Sequence, residues 1–313
     1  MHDQRNVAST LPPPLAGERF WLDDERAGRI ACYYGGPPAG GGGTPLLLVH
    51  SVNAAASAYE VRPLFERYAR ERPTYAFDLP GFGLSERSAR PYVPRLMTDA
   101  LLAVAAEAGR RHGGAPVDGL ALSLSCEFLA RAAVERGAAF RSLALVSPTG
   151  FSGPRRTPGP PGSTRALPRL HAVLSNPLWA RGLFGLLTRP KVIRYFLERT
   201  WGRREIDEGL WAYDVRAARE PGAEHAPLYF LSWHLFSADV TRLYDALAHP
   251  VWMSHGVRGD FVDYRGAEAM KGRVNWSMTT FETGALPHFE VLDAFTSTYD
   301  GFLARADGAA AGG

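Results

Sequence analysis

The sequence predicts a doubly wound, mostly parallel α/β sheet that carries a helical insertion. Short apolar runs recur along the chain, and such nearly continuous runs are typical of strands buried on both faces of a parallel sheet. Between them lie stretches with apolar residues at three- and four-residue spacing, as expected of helices that alternate with strands. The alternation stops near residue 150 and resumes near residue 250. The pattern therefore fits a single α/β core interrupted by a helical segment.

The individual elements follow from these runs and spacings. The predicted strands cover residues 29–34, 45–50, 74–77, 117–122, 142–146, 251–254 and 275–281. The predicted helices of the core cover residues 59–72, 93–112 and 126–137, and Gly137 is a natural stop for the third. The glycine-rich stretch at 35–43 lacks the Lys-Ser/Thr pair of a phosphate-binding loop and precedes a strand, so it predicts a flexible hairpin tip.

The chain divides into a core, an insertion and two tails. We expect the core over residues 19–149 and 250–305, the helical insertion over 150–249, and flexible tails over 1–18 and 306–313. We interpret the insertion as a cap or lid over one edge of the sheet, with a separate helical domain as the alternative. It carries four tryptophans that either line an apolar pocket or form its own small core: Trp179, Trp201, Trp211 and Trp233.

Composition narrows the class of protein. A chain of 313 residues with 46% hydrophobic and 21% charged residues builds a large core and is not broadly disordered. The formal net charge is only +3 and the arginines are scattered, which argues against a nucleic-acid partner. The sequence shows neither a secretory signal nor an apolar run that spans a bilayer, so we expect a cytoplasmic protein without a membrane span. The histidines and two cysteines match no metal or haem signature, and we expect no cofactor. The oligomeric state stays open.

One stretch carries the spacing of a displayed serine. VDGLALSLSCEFLARA, residues 117–132, predicts a strand, a tight turn at Ser123 and a helix. Such a turn holds the serine in a strained conformation that exposes its Oγ. Strand and helix then pass so closely that the residues two before and two after must be small, and here they are Ala121 and Ser125. The amides at the start of the helix suit a developing oxyanion.

Two further motifs accompany this turn. LLLVHSVN ends a predicted strand with His50 and Ser51, and YAFDLPGFGLSER follows a later one. With them the chain resembles the α/β-hydrolase superfamily from about residue 20 to residue 305. In that family one strand ends in His-Gly-x and a later one in Asp-x-Pro-Gly-x-Gly-x-Ser. The second motif is matched in full by Asp78, Pro80, Gly81, Gly83 and Ser85.

The resemblance implies a catalytic triad in the order serine, acid, histidine. Ser123 would be the nucleophile, and the amides of Val52 and Leu124 would form the oxyanion hole. The acid is expected after the strand that follows the insertion, where Asp260 is our choice and Asp263 the alternative. These assignments imply a nucleophile elbow of the serine-esterase type.

The histidine departs from the family pattern. An ungapped alignment on Glu290 and Phe295 places Ala285 at the usual histidine position, and His288 lies three residues further on. One helical turn is about 5 Å, so His288 acts as the base only if this loop is rebuilt. The best substitute base is His50. The substrate-binding candidates are His50, Asn53 and Trp233.

The resemblance implies a cofactor-independent serine hydrolase. Its substrate would be a small carboxylic ester or related acyl compound with an apolar group, cleaved through an acyl-enzyme. The alternative is a protein that keeps the fold without hydrolysis, as a small-ligand-binding or accessory protein or a lyase-type enzyme. The departures at Ser51, Ser125 and Ala285 motivate that alternative. Cys126, at the start of the nucleophile helix, is either a second nucleophile or a small buried residue.

Overall fold

A computed structural model describes residues 10–37, 43–153 and 157–311 of the chain, with side chains as far as residue 307. One eight-stranded sheet forms its centre. The strands are β1 (Glu18–Asp24), β2 (Gly28–Gly35), β3 (Leu46–Val49), β4 (Thr74–Phe77), β5 (Val117–Leu122), β6 (Phe140–Val146), β7 (Val251–Gly256) and β8 (Trp276–Phe281). Their spatial order is β1-β2-β4-β3-β5-β6-β7-β8. β2 is antiparallel to β1 and β4, and the other neighbouring pairs are parallel.

Helices cover both faces of this sheet and a further group lies between β6 and β7 in sequence. The helices are α1 (Arg62–Tyr68), α2 (Pro94–Arg111), α3 (Ser125–Glu135), α4 (Pro168–Leu174), α5 (Ala180–Leu187), α6 (Pro190–Trp201), α7 (Glu208–Ala217), α8 (His225–Leu231), α9 (Val240–Asp245), α10 (Pro287–Glu290) and α11 (Leu292–Ala311). Within the described residues, no helix is long and apolar enough to cross a membrane.

The central strands are buried on both faces. All four residues of β3 are inaccessible, and Leu48 lies between Ala76 of β4 and Leu120 of β5. One apolar cluster packs α2 and α3 against the sheet, and a second packs α1 and α11 against the opposite face. The doubly wound α/β architecture predicted from the sequence is therefore confirmed.

The predicted strands all occur, with ends that shift by one or two residues, but the sequence reading missed β1. This strand lies at the antiparallel edge of the sheet and none of its residues is fully buried. Its sequence, ERFWLDD, consequently has no continuous apolar run. An edge strand covered on one side is expected to alternate polar and apolar residues, and seven residues are too few to make that signal stand out.

The tails differ from the sequence expectation where the structure describes them. Leu11 and Leu15 are buried, and Tyr213 OH of α7 donates a 2.8 Å hydrogen bond to the carbonyl of Pro12. Residues 1–9 lie outside the described residues, as do 38–42 of the expected hairpin tip. At the other end α11 continues to Ala311, because the alanines near its end favour helix.

The helices between β6 and β7 pack on loops at the carboxyl edge of the sheet. A Cβ at Gly81, in the loop after β4, would lie 2.4 Å from Ala226 Cβ of α8. Gly81 also has φ +87°, in the left-handed region that favours glycine. The loop that carries the Asp-x-Pro-Gly motif is thus in direct contact with the inserted helices.

Candidate active site

Ser123 lies on a strained turn between β5 and α3. Its φ is +52°, in the left-handed region that costs a non-glycine residue about 1–2 kcal/mol. Its amide donates a 2.8 Å hydrogen bond to the carbonyl of Val146, which fixes the turn to the end of β6. The side chain is partly exposed, and its Oγ makes no hydrogen bond to any described residue. The strand–turn–helix arrangement predicted from the sequence is present and holds the serine at the carboxyl edge of the sheet.

Ser125 joins the start of α3 to the loop that follows β3. Its Oγ donates a 2.5 Å hydrogen bond to the carbonyl of His50, and both residues are fully buried. A glycine at position 125 would have no hydroxyl to make this bond. Ala121, the other small residue, is inaccessible on β5. The departure at Ser125 thus supplies a connection between the turn of Ser123 and the loop that contains Val52.

The amides of Val52 and Leu124 have no hydrogen-bond acceptor within the part of the chain that the structure describes. Both residues are almost fully buried. Buried amides in folded proteins are nearly always paired with protein or water. These two amides are therefore available to an acceptor atom of a ligand. They lie on segments that Ser125 joins, and Leu124 directly follows Ser123.

The loop after β3 uses the polar atoms of His50 and Asn53 internally. His50 Nδ1 donates to the carbonyl of Ser51 at 2.6 Å, and its Nε2 accepts the amide of Leu79 at 2.9 Å. Asn53 donates to Glu60 at 2.7 Å and accepts the amide of Ala55 at 2.8 Å. These side chains shape the loop, and the inaccessible ring of His50 leaves it no role as a base in this conformation.

Glu60 is the residue of this loop that sequence reasoning missed. Its buried carboxylate accepts the amide of Ser51 and the side-chain amide of Asn53, each at 2.7 Å. It therefore fixes the stretch of main chain that leads to Val52. The only signal in the sequence is an acidic residue within an otherwise apolar stretch, which does not distinguish this role from an exposed charge.

The Asp-x-Pro-Gly-x-Gly-x-Ser loop is a rigid scaffold around Asp78. The buried carboxylate accepts the amides of Ala58 and Leu84 and the hydroxyl of Tyr33, at 2.6–2.9 Å. A Cβ at Gly83 would lie only 2.0 Å from the carboxyl carbon, so this position requires glycine. Ser85 Oγ donates to the carbonyl of Asp78 at 2.5 Å. The fully matched motif thus has a structural explanation in this chain.

His288 is held beneath the loop after β3. Its Nε2 donates a 2.8 Å hydrogen bond to the carbonyl of Glu60, and its Nδ1 is buried without a partner. Complete burial lowers the pKa of His288 to about 4, so the ring is neutral near pH 7. Within residues 10–37, 43–153 and 157–311, no hydrogen bond joins His288 to Ser123 or to Asp260. The structure does not bring the three predicted triad residues together.

The two candidate acids are both engaged with arginine. The partly exposed Asp260 carboxylate forms an ion pair with Arg199 of α6. Asp263 pairs with Arg265 and accepts the amide of Gly153 at 2.9 Å. The hydrogen bond from Arg265 holds the pKa of Asp263 well below its usual range. Neither carboxylate contacts a histidine among the described residues.

The end of α6 explains this separation. The carbonyl of Arg199 accepts the amide of Asp260 at 3.1 Å, and the carbonyl of Thr200 accepts the amide of Ala285 at 2.9 Å. Ser147 Oγ, at the end of β6, donates to the carbonyl of Ala285 at 2.7 Å. The last turn of α6 therefore contacts both the loop of the candidate acid and the loop in which the family places its histidine.

A second histidine, His255, is the last residue but one of β7, at the same edge of the sheet. Its Nδ1 donates to the carbonyl of Gly256 at 2.9 Å, and its ring stacks on Tyr264 at 3.9 Å between centroids. Burial lowers the pKa of His255. Its Nε2 has no partner in the described part of the chain. The sequence signal that could have singled out His255 is its position directly after a predicted strand, where side chains reach the carboxyl edge of the sheet.

Cys126 and Trp233 have clear surroundings. Cys126 Sγ lies 3.1 Å from the carbonyl of Ala121, and burial raises the pKa of its thiol, so the residue packs α3 on the sheet.

Trp233 is exposed, with φ +63° and its ring 4.6 Å from that of Phe236. Trp201 is buried, whereas Trp179 is exposed. Among the described residues, no group of three or more histidine, cysteine or acidic side chains is placed to hold a metal ion.

Comparison with known proteins identifies the family. The sequence profile of the Alpha/beta hydrolase family matches residues 46–297. No curated protein matches the chain in sequence. Similar solved structures include a membrane phospholipase A described as a bacterial virulence factor, with 19% identity over 93% of this chain and 86% of that chain and a TM-score of 0.67. A serine hydrolase involved in carbazole degradation has 14% identity over 92% and 99%, with a TM-score of 0.69. An esterase from Thermogutta terrifontis has 17% identity over 93% and 99%, with a TM-score of 0.68. The chain belongs to the α/β-hydrolase family.

Proposed function

We propose that this protein is a cofactor-independent serine hydrolase in which Ser123 attacks the carbonyl of a carboxylic ester or related acyl compound. The observation that carries the proposal is the strained backbone of Ser123 beside the unpaired amides of Val52 and Leu124. Strain of this kind persists only where the surrounding structure maintains it, and it concentrates at functional sites. A displayed hydroxyl next to two free main-chain donors is the arrangement that acyl transfer requires.

The chemistry follows from these groups. Attack by Ser123 Oγ on the acyl carbon breaks the carbonyl π bond and places negative charge on its oxygen. The amides of Val52 and Leu124 stabilise that oxyanion, and the first turn of α3 adds its positive end. Collapse expels the alcohol, which takes up a proton, and leaves an acyl-enzyme. Water then releases the acid and regenerates Ser123.

His288 is the proposed base, with Asp260 as the residue that orients it. A neutral imidazole accepts the serine proton, but burial lowers the pKa of His288 to about 4 in the conformation described above and makes it a weak base there. The assignment requires His288 Nε2 to leave the carbonyl of Glu60. It also requires Asp260 to leave Arg199, at the end of α6. A shift of α6 away from the sheet would separate Arg199 from Asp260 and release the amide of Ala285, whereas the bond from His288 to Glu60 must break in addition.

The expected substrate carries a small apolar group. The loop after β3, the loop after β4 and α7 meet at a junction lined by five alanines, Gly81, Phe82 and Arg87, and this junction is packed too tightly here to hold a water molecule. A substrate group enters here only if these elements separate, and the alanines and Phe82 would then favour an alkyl or aryl group. Similar structures include an esterase and a phospholipase, whose substrates are esters. Esterase chemistry is therefore the first to assay.

Labelling with a fluorophosphonate probe and a panel of short-chain and aryl esters tests the proposal. Wild-type protein should take up one label and hydrolyse at least one ester, and Ser123→Ala should lose both. Ser147→Ala is the matched control, because Ser147 also has a positive φ at the end of a central strand. Labelling that persists in Ser123→Ala, or a label that Ser147→Ala no longer takes up, contradicts the assignment of the nucleophile.

A second candidate is a small-ligand-binding protein that keeps the fold without hydrolysis. The hydrogen bond between His288 and Glu60 and the ion pair between Asp260 and Arg199 favour it. This candidate predicts no label and no ester turnover in the wild type, together with saturable binding of an apolar carboxylic ester. Turnover of any ester that is abolished in His288→Ala and unchanged in His255→Ala excludes it.

A further inference from the structure

The insertion carries six exposed large apolar side chains on α4, on α5 and at the residues next to them. The exposed residues are Leu167, Leu170, Val173, Leu178, Trp179 and Leu186, which we call the α4–α5 surface. Leu167, Leu170 and Val173 follow one another at three-residue spacing and share one face of α4. Trp179 Nε1 donates to the carbonyl of Val173 at 2.8 Å, which brings the start of α5 against the end of α4. The exposed side chains at the end of α4 and at the start of α5 are therefore neighbours.

The two helices have little packing to account for these side chains. α4 buries none of its residues, and α5 buries only Ala180 and Phe184. Leu178, between the two helices, is 88% exposed. Scattered exposed apolar residues are normal in soluble proteins, whereas a contiguous group marks a surface that contacts something else. The α4–α5 surface is of the second kind.

The segment that carries this surface has basic but no acidic side chains, although Arg181 of α5 pairs with Glu224 of α8. From Arg136 to Leu197 the sequence contains no aspartate or glutamate. Arg169 on α4, and Arg189 and Lys191 at the start of α6, are exposed. None of these three forms an ion pair within the part of the chain that the structure describes. Cationic groups thus border an apolar area that has no acidic neighbour in the same segment.

We propose that the α4–α5 surface docks the protein on an anionic lipid bilayer. Leucine and tryptophan side chains on short exposed helices enter the boundary between headgroups and acyl chains, while bordering arginine and lysine contact anionic headgroups. The unpaired Arg169, Arg189 and Lys191 supply the complementary charge. Such a contact lies in the plane of the membrane and needs no spanning helix. It is independent of the chemistry proposed at Ser123.

Charge distinguishes a bilayer from the other occupants of an apolar surface. In a two-fold dimer the same patch meets itself, so the unpaired cations of one copy would face those of the other. Nucleic acid would use the cations but not the aliphatic side chains of Leu178 and Leu186, since it is bound through phosphates, base edges and stacking. An anionic bilayer contacts both the apolar and the cationic groups of the patch.

Co-sedimentation with vesicles tests the proposal. Phosphatidylcholine vesicles are compared with phosphatidylcholine vesicles that contain phosphatidylserine, at low and high salt. Wild-type protein and Ser123→Ala should sediment equally with the anionic vesicles and remain in solution with the neutral ones. The double variant Arg189→Gln/Lys191→Gln should lower the partition constant by roughly tenfold or more, at about 1 kcal/mol for each charge. Leu178→Ser should also lower it, by about tenfold.

Matched controls make the result specific to the patch. Val274→Ser removes a fully exposed apolar side chain before β8, and Arg70→Gln removes an exposed charge after α1. Both should bind as the wild type does. Equal binding to neutral and anionic vesicles overturns the proposal, and so does anionic binding that Leu178→Ser leaves unchanged. Absence of vesicle binding, together with a dimer that Leu178→Ser dissociates in sedimentation velocity, assigns the surface to a second copy and overturns it as well.

Discussion

His288 Nε2 donates a 2.8 Å hydrogen bond to the main-chain carbonyl of Glu60, and the carboxylate of Glu60 accepts the amide of Ser51. The histidine expected to act as a base and the loop expected to hold the oxyanion are therefore joined through one residue. Any movement that brings His288 to Ser123 breaks its hydrogen bond to the carbonyl of Glu60, the residue whose carboxylate holds the amide of Ser51. The proposed base and the loop of the proposed oxyanion hole thus share Glu60 as a partner in this conformation.

Stability should decrease as the pH falls from 6.5 to 4, because of His288. The unfolded histidine binds a proton below its ordinary pKa of 6.5, whereas burial keeps the folded ring neutral down to about 4. The unfolded state therefore binds more protons throughout this window, and the free energy of unfolding falls as the pH falls. A difference of this size corresponds to about 3 kcal/mol in total, with no further loss below pH 4. Chemical denaturation across the window measures it.

His288→Gln separates this contribution from the other titrating groups. The glutamine side chain retains an N–H donor for the carbonyl of Glu60 and does not titrate. The variant should show a flatter dependence between pH 6.5 and 4 than the wild type. If the free energy of unfolding has the same pH dependence in both proteins, the histidine binds its proton equally well in the folded and unfolded states. That result contradicts a buried neutral ring.

Ser123→Gly should be more stable than Ser123→Ala. Both variants remove the hydroxyl, but only glycine adopts a φ of +52° without steric cost. Relief of the left-handed strain favours glycine by about 1–2 kcal/mol, and the larger entropy of its unfolded chain offsets part of that gain. Thermal or urea unfolding of the two variants measures the difference. Equal stability, or a more stable alanine variant, contradicts a strained turn at this position.

The fold was accessible from the sequence because its signals are local. The strand formed by residues 74–77 has four buried residues in a row, which a single window of sequence reveals. The glycine positions around Asp78 reflect a close approach within the same loop. Both features depend on neighbours in the chain, so the predictions of the sheet and of the Asp-x-Pro-Gly scaffold rest on few assumptions. Family membership supports the same fold.

The arrangement of the candidate site depends on contacts that are distant in sequence. Glu60 and His288 are 228 positions apart, and Asp260 and Arg199 are 61 apart. No spacing within a window encodes such a pair. The sequence did show that His288 is three residues beyond the usual position. It did not show that His288 donates a hydrogen bond to the main-chain carbonyl of Glu60. The roles of His288 and Asp260 stay predictions.

Asp214→Asn should stabilise the protein at neutral pH. Asp214 is buried on α7, its Oδ1 has no partner, and burial and the nearby Glu60 raise its pKa well above the ordinary value. The folded carboxyl therefore retains a proton that the unfolded one releases above pH 3.8, and stability falls as the pH rises through this region. Asparagine has the same shape and no charge to bury. Urea denaturation at mildly acidic and neutral pH should show a gain that grows with pH.

The control for this variant is Asp239→Asn. Asp239 is also buried, but its carboxylate is paired with Arg131 at 2.7 Å. Removing its charge leaves the buried guanidinium without its partner, so this variant should lose stability. A loss of stability in Asp214→Asn as well would show that the Asp214 carboxyl has a favourable partner, in contradiction to its unpaired oxygen.

Asp260→Asn should lower ester turnover much more than it lowers stability. As the residue that orients the base, Asp260 stabilises the imidazolium that forms in the transition state, and its loss costs about 10⁴-fold in kcat in serine hydrolases of known mechanism. Its ion pair with Arg199 is partly exposed, so the free energy of unfolding should change by less than about 1 kcal/mol. Asp263→Asn, which removes the neighbouring ion pair with Arg265, should leave turnover unchanged. If Asp260→Asn retains turnover and Asp263→Asn loses it, Asp263 is the residue that orients the base. If both variants retain turnover, neither carboxylate of this loop has that role.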